Sequence, residues 1–168
     1  MVLIKKIIHI RLCTPKDLKS ILSCQQCVIE SLSHPNYYFP STSTELEDLL
    51  LCEKSRGFIL GAYIDNLLYG FVSIKKWVGK YYGYNYNPNK ICYSIEDTLV
   101  MEEYRGFGTQ SLLWKEVISQ LPKSSILLCT IHPQNEVSLS NAINLGFEKC
   151  MLCYPYDISP RIILKKEI

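Results

Sequence analysis

Two hydrophobic periods take turns along this chain, and each change of period marks an element. Residues 4–12 alternate loosely between apolar and polar, which suits a first strand. Thr14-Pro15-Lys16-Asp17 then reads as a helix start, with Thr14 as cap, proline in the first turn and an acid at the positive end of the dipole. Leu18, Ile21, Leu22, Val28, Ile29 and Leu32 follow at helical spacing and form one apolar stripe. HPNYYFP, residues 34–40, is punctuated by two prolines and predicts a loop. A short second helix is expected from Thr44, where Glu47 completes a capping box ahead of Leu49, Leu50 and Leu51.

The period changes to two at Gly57. GFILGAYI and LLYGFVSI flank Asp65-Asn66, a pair suited to the positive φ angles of a tight hairpin turn. Residues 77–90, WVGKYYGYNYNPNK, predict a loop or ragged hairpin, and residues 91–101 another strand. Residues 108–121 return to helix, with Leu113, Val117, Ile118 and Leu121 inward and Pro122 as the stop. A buried strand over 126–131, a helix over 138–145 ended by Gly146, and strands near 147–154 and 161–166 complete the chain. The order predicts one mixed α/β domain over residues 1–168, with a mostly antiparallel twisted sheet of about six to seven strands and about four helices.

Composition narrows the function. At 168 residues, 48% hydrophobic and 20% charged, the chain suits one globular core. The net charge of +2 and the absence of a basic block argue against a nucleic-acid partner. No apolar run reaches the ~20 residues of a membrane span, and Lys5, Lys6, His9 and Arg11 interrupt any signal-like stretch at the start. A cytoplasmic protein without membrane contact is the expectation. The eight cysteines include two C-x-x-C pairs, Cys24/Cys27 and Cys150/Cys153. The first lies in a helical pattern. The second lies in a strand pattern, where residues three apart face opposite ways. Reduced thiols and no metal are therefore expected.

EYRGFGTQ, residues 103–110, sits where a strand gives way to a helix. The first turn of a helix offers unpaired N–H groups and the positive end of a dipole, and Gly106 and Gly108 let backbone approach a phosphate. The plainer reading of the stretch alone is a tight turn. With IEDTLVM before it and NEVSLSNAINLGF after it, the stretch resembles the GCN5-related N-acetyltransferases, the GNAT superfamily. There a strand leads into (Q/R)-x-x-G-x-(G/A), which Arg105, Gly106, Phe107, Gly108, Thr109 and Gln110 occupy, and an Asn precedes a helix ending in L-G-F, as Asn135 and Leu145-Gly146-Phe147 do. The resemblance covers nearly the whole chain. It departs from the pattern twice. Gln110 replaces a small residue, and the position of the Tyr that protonates the departing thiolate in many members is Ala142.

The resemblance implies an acetyl-CoA-dependent N-acetyltransferase that works by direct attack of an amine in a ternary complex. It implies that the backbone of residues 105–110 holds the pyrophosphate and that Leu99 and Val100 pair with the pantetheine arm. The Val100 N–H would polarise the thioester carbonyl, Asn135 would contact the arm, and Ser138 would assist. Glu96 is the candidate general base, acting through a water and placed by strand alternation on one face with Thr98 and Val100; Asp97 on the other face is the alternative, and the plainer role for both is that of solvated strand-edge acids. Tyr154, Tyr156 or a solvent chain could supply the acid. The aromatic stretches 37–39 and 77–86 are candidate acceptor walls, with Tyr38 and Tyr81 as substrate contacts, although packing over the sheet edge or self-association is the plainer role for most of these rings. The acceptor is an unidentified primary amine of a small molecule, peptide or protein, and the state is monomer or homodimer. Two rival readings remain: a silent acyl-CoA-binding module, which Ala142 favours, and an RNA-binding domain that stacks bases on the tyrosines, which the charge disfavours.

Overall fold

The computed structural model describes residues 8–155 and 159–168. Residues 4–7 of the predicted first strand, and Tyr156, lie outside those residues. The strand β1 (His9–Leu12) leads through a 3₁₀ turn into α1 (Leu18–Glu30), and α2 (Ser43–Leu51) follows the proline-rich loop. The hairpin β2 (Gly57–Ile64) and β3 (Leu67–Trp77) turns at Asp65 and Asn66, both at positive φ, as that pair predicts. Then come β4 (Cys92–Val100), α3 (Thr109–Gln120), β5 (Ile126–Ile131), α4 (Glu136–Asn144), β6 (Glu148–Cys153) and β7 (Arg161–Glu167).

The strands form one seven-stranded sheet in the order β1-β2-β3-β4-β5-β7-β6. Every neighbouring pair is antiparallel except β4 with β5. Ile21, Leu46, Phe71, Leu113 and Leu127 are fully buried in the main core, which joins all three of the first helices to the sheet. Burial of that kind is the chief stabilising contribution, roughly 1.5–3 kcal/mol for each large side chain.

Three local features differ from the sequence reading. Helix α2 starts one turn-fraction earlier than expected, capped by Thr42 with Glu45 completing the box rather than by Thr44 with Glu47. STSTELED holds both boxes, and the first is used because it turns Leu46 into the core at 0% exposure. Helix α4 starts earlier too, because Asn135 caps it with its side chain, accepting the Ser138 N–H at 3.2 Å. The third difference is in β4. Ser73 faces Asp97 but its neighbour Ile74 faces Ile95, so Glu96 is an extra residue bulged out of the ladder.

Candidate active site

The cleft begins where two parallel strands part. β5 pairs with β4 only over Cys92 to Ser94, matched with Ile126 to Leu128. Beyond Ser94 the two diverge, and Ile95, Thr98, Leu99 and Val100 on one side and Cys129, Thr130 and Ile131 on the other line a cleft of about 640 Å³. The Met101 N–H donates to the Tyr69 carbonyl of β3 at 2.8 Å. Backbone groups alternate sides along a strand, so the Val100 N–H points the other way, into the gap left by β5. A strand edge without a partner strand is a template for any extended ligand that carries amide groups.

At the mouth of the cleft, α3 presents its N-terminus. Gly106 and Gly108 adopt φ of 82° and 75°, the left-handed region that glycine enters without strain. A Cβ on either would meet nothing within 4 Å, so backbone conformation rather than crowding requires glycine here. The Leu112 N–H is the first to close onto the Gly108 carbonyl, at 3.0 Å. The N–H groups before it are left for an anion, and α3 is long enough to carry a full dipole.

The motif residues divide by what their side chains do. Arg105, Gly106, Gly108, Thr109 and Gln110 all line the cleft, as do Asn135 and Ser138. The Arg105 guanidinium donates to the Val100 carbonyl at 2.9 Å and to the Ser31 hydroxyl at 3.1 Å, tying the glycine loop to β4 and α1. Gln110, the departure from a small residue, accepts from the Asn141 side chain at 2.9 Å and so turns onto α4 instead of filling the loop. Phe107 is not among the lining residues. It is 73% exposed, and only its backbone belongs to the loop.

The bulge corrects the expected arrangement of the two acids. Asp97 pairs across to Ser73 and Ser94 to Lys75, so Asp97 and Ser94 share one face. The Glu96 carboxylate accepts from the Ser94 hydroxyl, which places it on that same face. Thr98 and Val100 point to the other, where the Trp114 indole donates to the Thr98 hydroxyl at 2.9 Å. Asp97 is 1% exposed and saturated. It accepts from the hydroxyls of Tyr38 (2.6 Å), Ser41 (2.6 Å) and Ser73 (2.5 Å) and from the Ser41 N–H (3.3 Å). A carboxylate so occupied holds structure and has no lone pair turned to a substrate. Glu96 borders the cleft, and burial raises its pKa above the ordinary carboxylate value, with the Ser94 hydrogen bond and Lys75 opposing the rise.

The two aromatic substrate candidates part company. Tyr38 lines the cleft, but its phenol donates to Asp97 and accepts from Gln25, and burial beside the Asp97 charge pushes its pKa far above the phenol range. Tyr81 lies away from the cleft. At 2% exposure it packs edge-on against Trp77 at 4.8 Å in a second small core with Cys92, Ile126, Leu128 and Ile163. Ring packing over the Cys92 end of the sheet accounts for its burial, and it is not among the residues that line the cleft where it was expected as a substrate contact. Ala142 is 0% exposed, Tyr154 is 57% exposed and outside the cleft lining, and Tyr156 lies outside the described residues.

Two features of the cleft escape a reading of the sequence. Tyr37 stacks between His34 and His132 at 4.8 and 4.7 Å and donates to the Gln134 carbonyl, while Arg161 donates to the Tyr37 and Asn36 carbonyls. These contacts pin the proline-rich loop over the end of β5. The Thr98–Trp114 bond is the other. The polar residues Ser73, Ser94, Asp97 and Thr98 inside apolar strands were the available signal, since a buried polar side chain needs a partner. Among the described residues, no group of three or more His, Cys, Asp or Glu clusters as a metal site, and no helix is long and apolar enough to cross a membrane.

Residues 27–147 match the family model described as Acetyltransferase (GNAT) family. The chain belongs to the GNAT acetyltransferase family. No curated protein sequence matches it. Solved GNAT structures share its fold across nearly the whole chain. Arabidopsis thaliana NAA60 in complex with acetyl-CoA is 15% identical with a TM-score of 0.77, the match covering 96% of this chain and 99% of that one. The acetyltransferase of GNAT family from Streptococcus pneumoniae is 17% identical with a TM-score of 0.71, covering 96% and 100%. The ribosomal-protein-S18-alanine N-acetyltransferase from Escherichia coli is 14% identical with a TM-score of 0.71, covering 95% and 92%.

Proposed function

We propose that this GNAT protein is an acetyl-CoA-dependent N-acetyltransferase that acts on a primary amine by direct attack in a ternary complex. The observation that carries the reading is the meeting, in one cleft, of an unpaired β4 edge, the glycine-bearing N-terminus of α3 and a half-buried carboxylate. The α3 terminus supplies N–H donors for a pyrophosphate. The β4 edge supplies amide partners for pantetheine, and the Val100 N–H is aimed where a thioester carbonyl would gain negative charge. One fixed donor of this kind contributes roughly 3 kcal/mol to transition-state stabilisation. Asn135 and Ser138, on the opposite wall, face the same arm. The structural relative solved with acetyl-CoA agrees with the choice of donor.

Glu96 takes the proton. Burial raises its pKa, which makes it a stronger base than an exposed carboxylate, while the Ser94 hydroxyl and Lys75 favour its charged form. Of the three tyrosines that line the cleft, Tyr37 and Tyr38 are already donating, to Gln134 and Asp97, which leaves Tyr104 as the cleft phenol available in place of the acid missing at Ala142. A thiolate is a stable leaving group, and solvent at the open cleft mouth is sufficient to protonate it.

Ala142, at the position of the missing acid, favours a second reading, an acyl-CoA-binding module without turnover. Release of free thiol from acetyl-CoA with a panel of amines separates the two. Thiol release that depends on the amine supports the enzyme. Tight acetyl-CoA binding with no release from any amine supports the module.

A further inference from the structure

A second cavity of about 330 Å³ lies beside the cleft, and Glu96 is the residue common to both. One wall is a face of α2, with Glu45, Asp48, Leu49 and Cys52 at helical spacing. The opposite wall is basic, with Arg56 ahead of β2 and Lys75 on β3; Lys76 borders the groove but, as the next strand residue, turns to the other face of the sheet. We infer that this groove is the acceptor site and that its ligand is a small zwitterion, a primary amine carrying a carboxylate, as a free amino acid does. The inference rests on the acetyl-transfer reading and names the substrate class for it.

Three observations support it. In direct attack the amine must meet both the base and the thioester, and Glu96 is the residue that lines both cavities. The groove walls carry three acids, counting Glu96, and two cations that face them, Arg56 and Lys75, yet among the described residues no ion pair or side-chain hydrogen bond joins any acid to any cation there. Lys75 is close enough to favour the charged forms of Glu45 and Glu96 without bonding either, and Glu45 is held in place by the Thr42 cap. Opposed, unpaired charges across a gap are complementary to a molecule with both signs. The volume is at the small end for a ligand site, which suits an amino acid and not an extended chain. Tyr38 cannot set the specificity, since its phenol is committed to Asp97.

The chemistry balances with the groups present. The bound ammonium gives one proton to Glu96, and the neutral amine attacks the thioester carbon. The C–N bond forms and the C–S bond breaks. The nitrogen loses its second proton to solvent, solvent protonates the departing thiolate, Glu96 returns its proton to solvent, and the products are an N-acetyl amino acid and CoA thiol.

The test uses the full chain, isotopically labelled and observed by NMR. CoA is added first. A shift of the Gly106 and Gly108 amides reports the cofactor site, and its absence removes the proposed function and this inference together. The CoA complex is then titrated with each amino acid and with the matching amine that lacks the carboxylate, such as leucine against 3-methylbutylamine. The expected result is that at least one amino acid moves the amides of Asp48, Lys75 and Glu96, binds about tenfold tighter than its decarboxylated partner, and loses that preference in Lys75→Glu. The inference is overturned, with the cofactor reading intact, if no amino acid binds, if the decarboxylated partners bind equally well, or if the shifts fall in the 34–38 loop instead of the groove.

Discussion

Glu96 owes its position to one extra residue in β4. Without the bulge it would share a face with Thr98 and Val100; with it, the carboxylate turns toward Ser94 and the α2 side. The residue was visible in the sequence as an acid in an apolar strand, but its direction was not, because strict alternation carries no sign of a bulge. Glu96→Gln should lower turnover by about 10²-fold, the usual scale for removing a general base, while acetyl-CoA affinity stays within error. The wild-type rate should rise with pH through a midpoint above the ordinary carboxylate value, and the variant should lose that limb; a pH–rate profile of both decides. Stability should move the opposite way. Burial favours neutral Glu96, so the folded state holds its proton more tightly than the unfolded chain does, and ionisation costs stability as pH rises between the two pKa values. Glu96→Gln should therefore gain stability relative to wild type over that window, measured by urea unfolding at several pH values. Asp97→Asn is predicted to cost about 1–3 kcal/mol, because an amide cannot accept from Tyr38, Ser41 and Ser73 together. An unfolding midpoint equal to wild type would remove the structural role assigned to Asp97.

At the scale of elements, turn and cap chemistry was the most legible part of the chain. Asp65-Asn66 announced the β2–β3 hairpin, and the glycines of EYRGFGTQ announced the N-terminus of α3. The start of α2 was harder, since two overlapping capping boxes compete and only the burial of Leu46 chooses between them. Thr42→Ala should accordingly cost about 1 kcal/mol and Thr44→Ala much less, a comparison that thermal unfolding resolves. In the aromatic stretch after β3 Tyr81 takes the plainer of the two roles open to it, packing over the sheet. Rings that cover a sheet and rings that hold a ligand have the same composition, and only position tells them apart. For α3, Gly108→Ala probes strain alone, roughly 1–2 kcal/mol for a left-handed residue with a Cβ. Gly108→Glu adds a carboxylate at the proposed pyrophosphate site, and a loss of CoA affinity well beyond that of the alanine variant is the expected outcome.

Across the whole molecule, the division of labour follows the sheet. β1 to β4 and the first two helices form one half, whose polar anchor is Asp17. It is held by Arg11 at 2.8 and 3.0 Å, by the N–H and hydroxyl of Thr14, and by Tyr63. The Arg11 hydrogen bonds hold its pKa well below the usual carboxylate range, so its contribution is present above that range and lost as pH falls through the depressed value. Asp17→Asn should lower stability at neutral pH and flatten the acid limb of the stability curve. β5 to β7 and α4 form the other half, and the cleft exists because the halves share only three residue pairs between β4 and β5. The order of strands and helices was readable from periodicity, but the point of divergence was not, since β5 reads as a buried strand whether it pairs along its whole length or not. The central claim is that this divergence receives the acyl carrier. Calorimetric titration of the intact protein with acetyl-CoA and, separately, with CoA tests it most directly. The account predicts a dissociation constant of about micromolar for both, weakened in Gly108→Glu. No heat of binding with either ligand would contradict it.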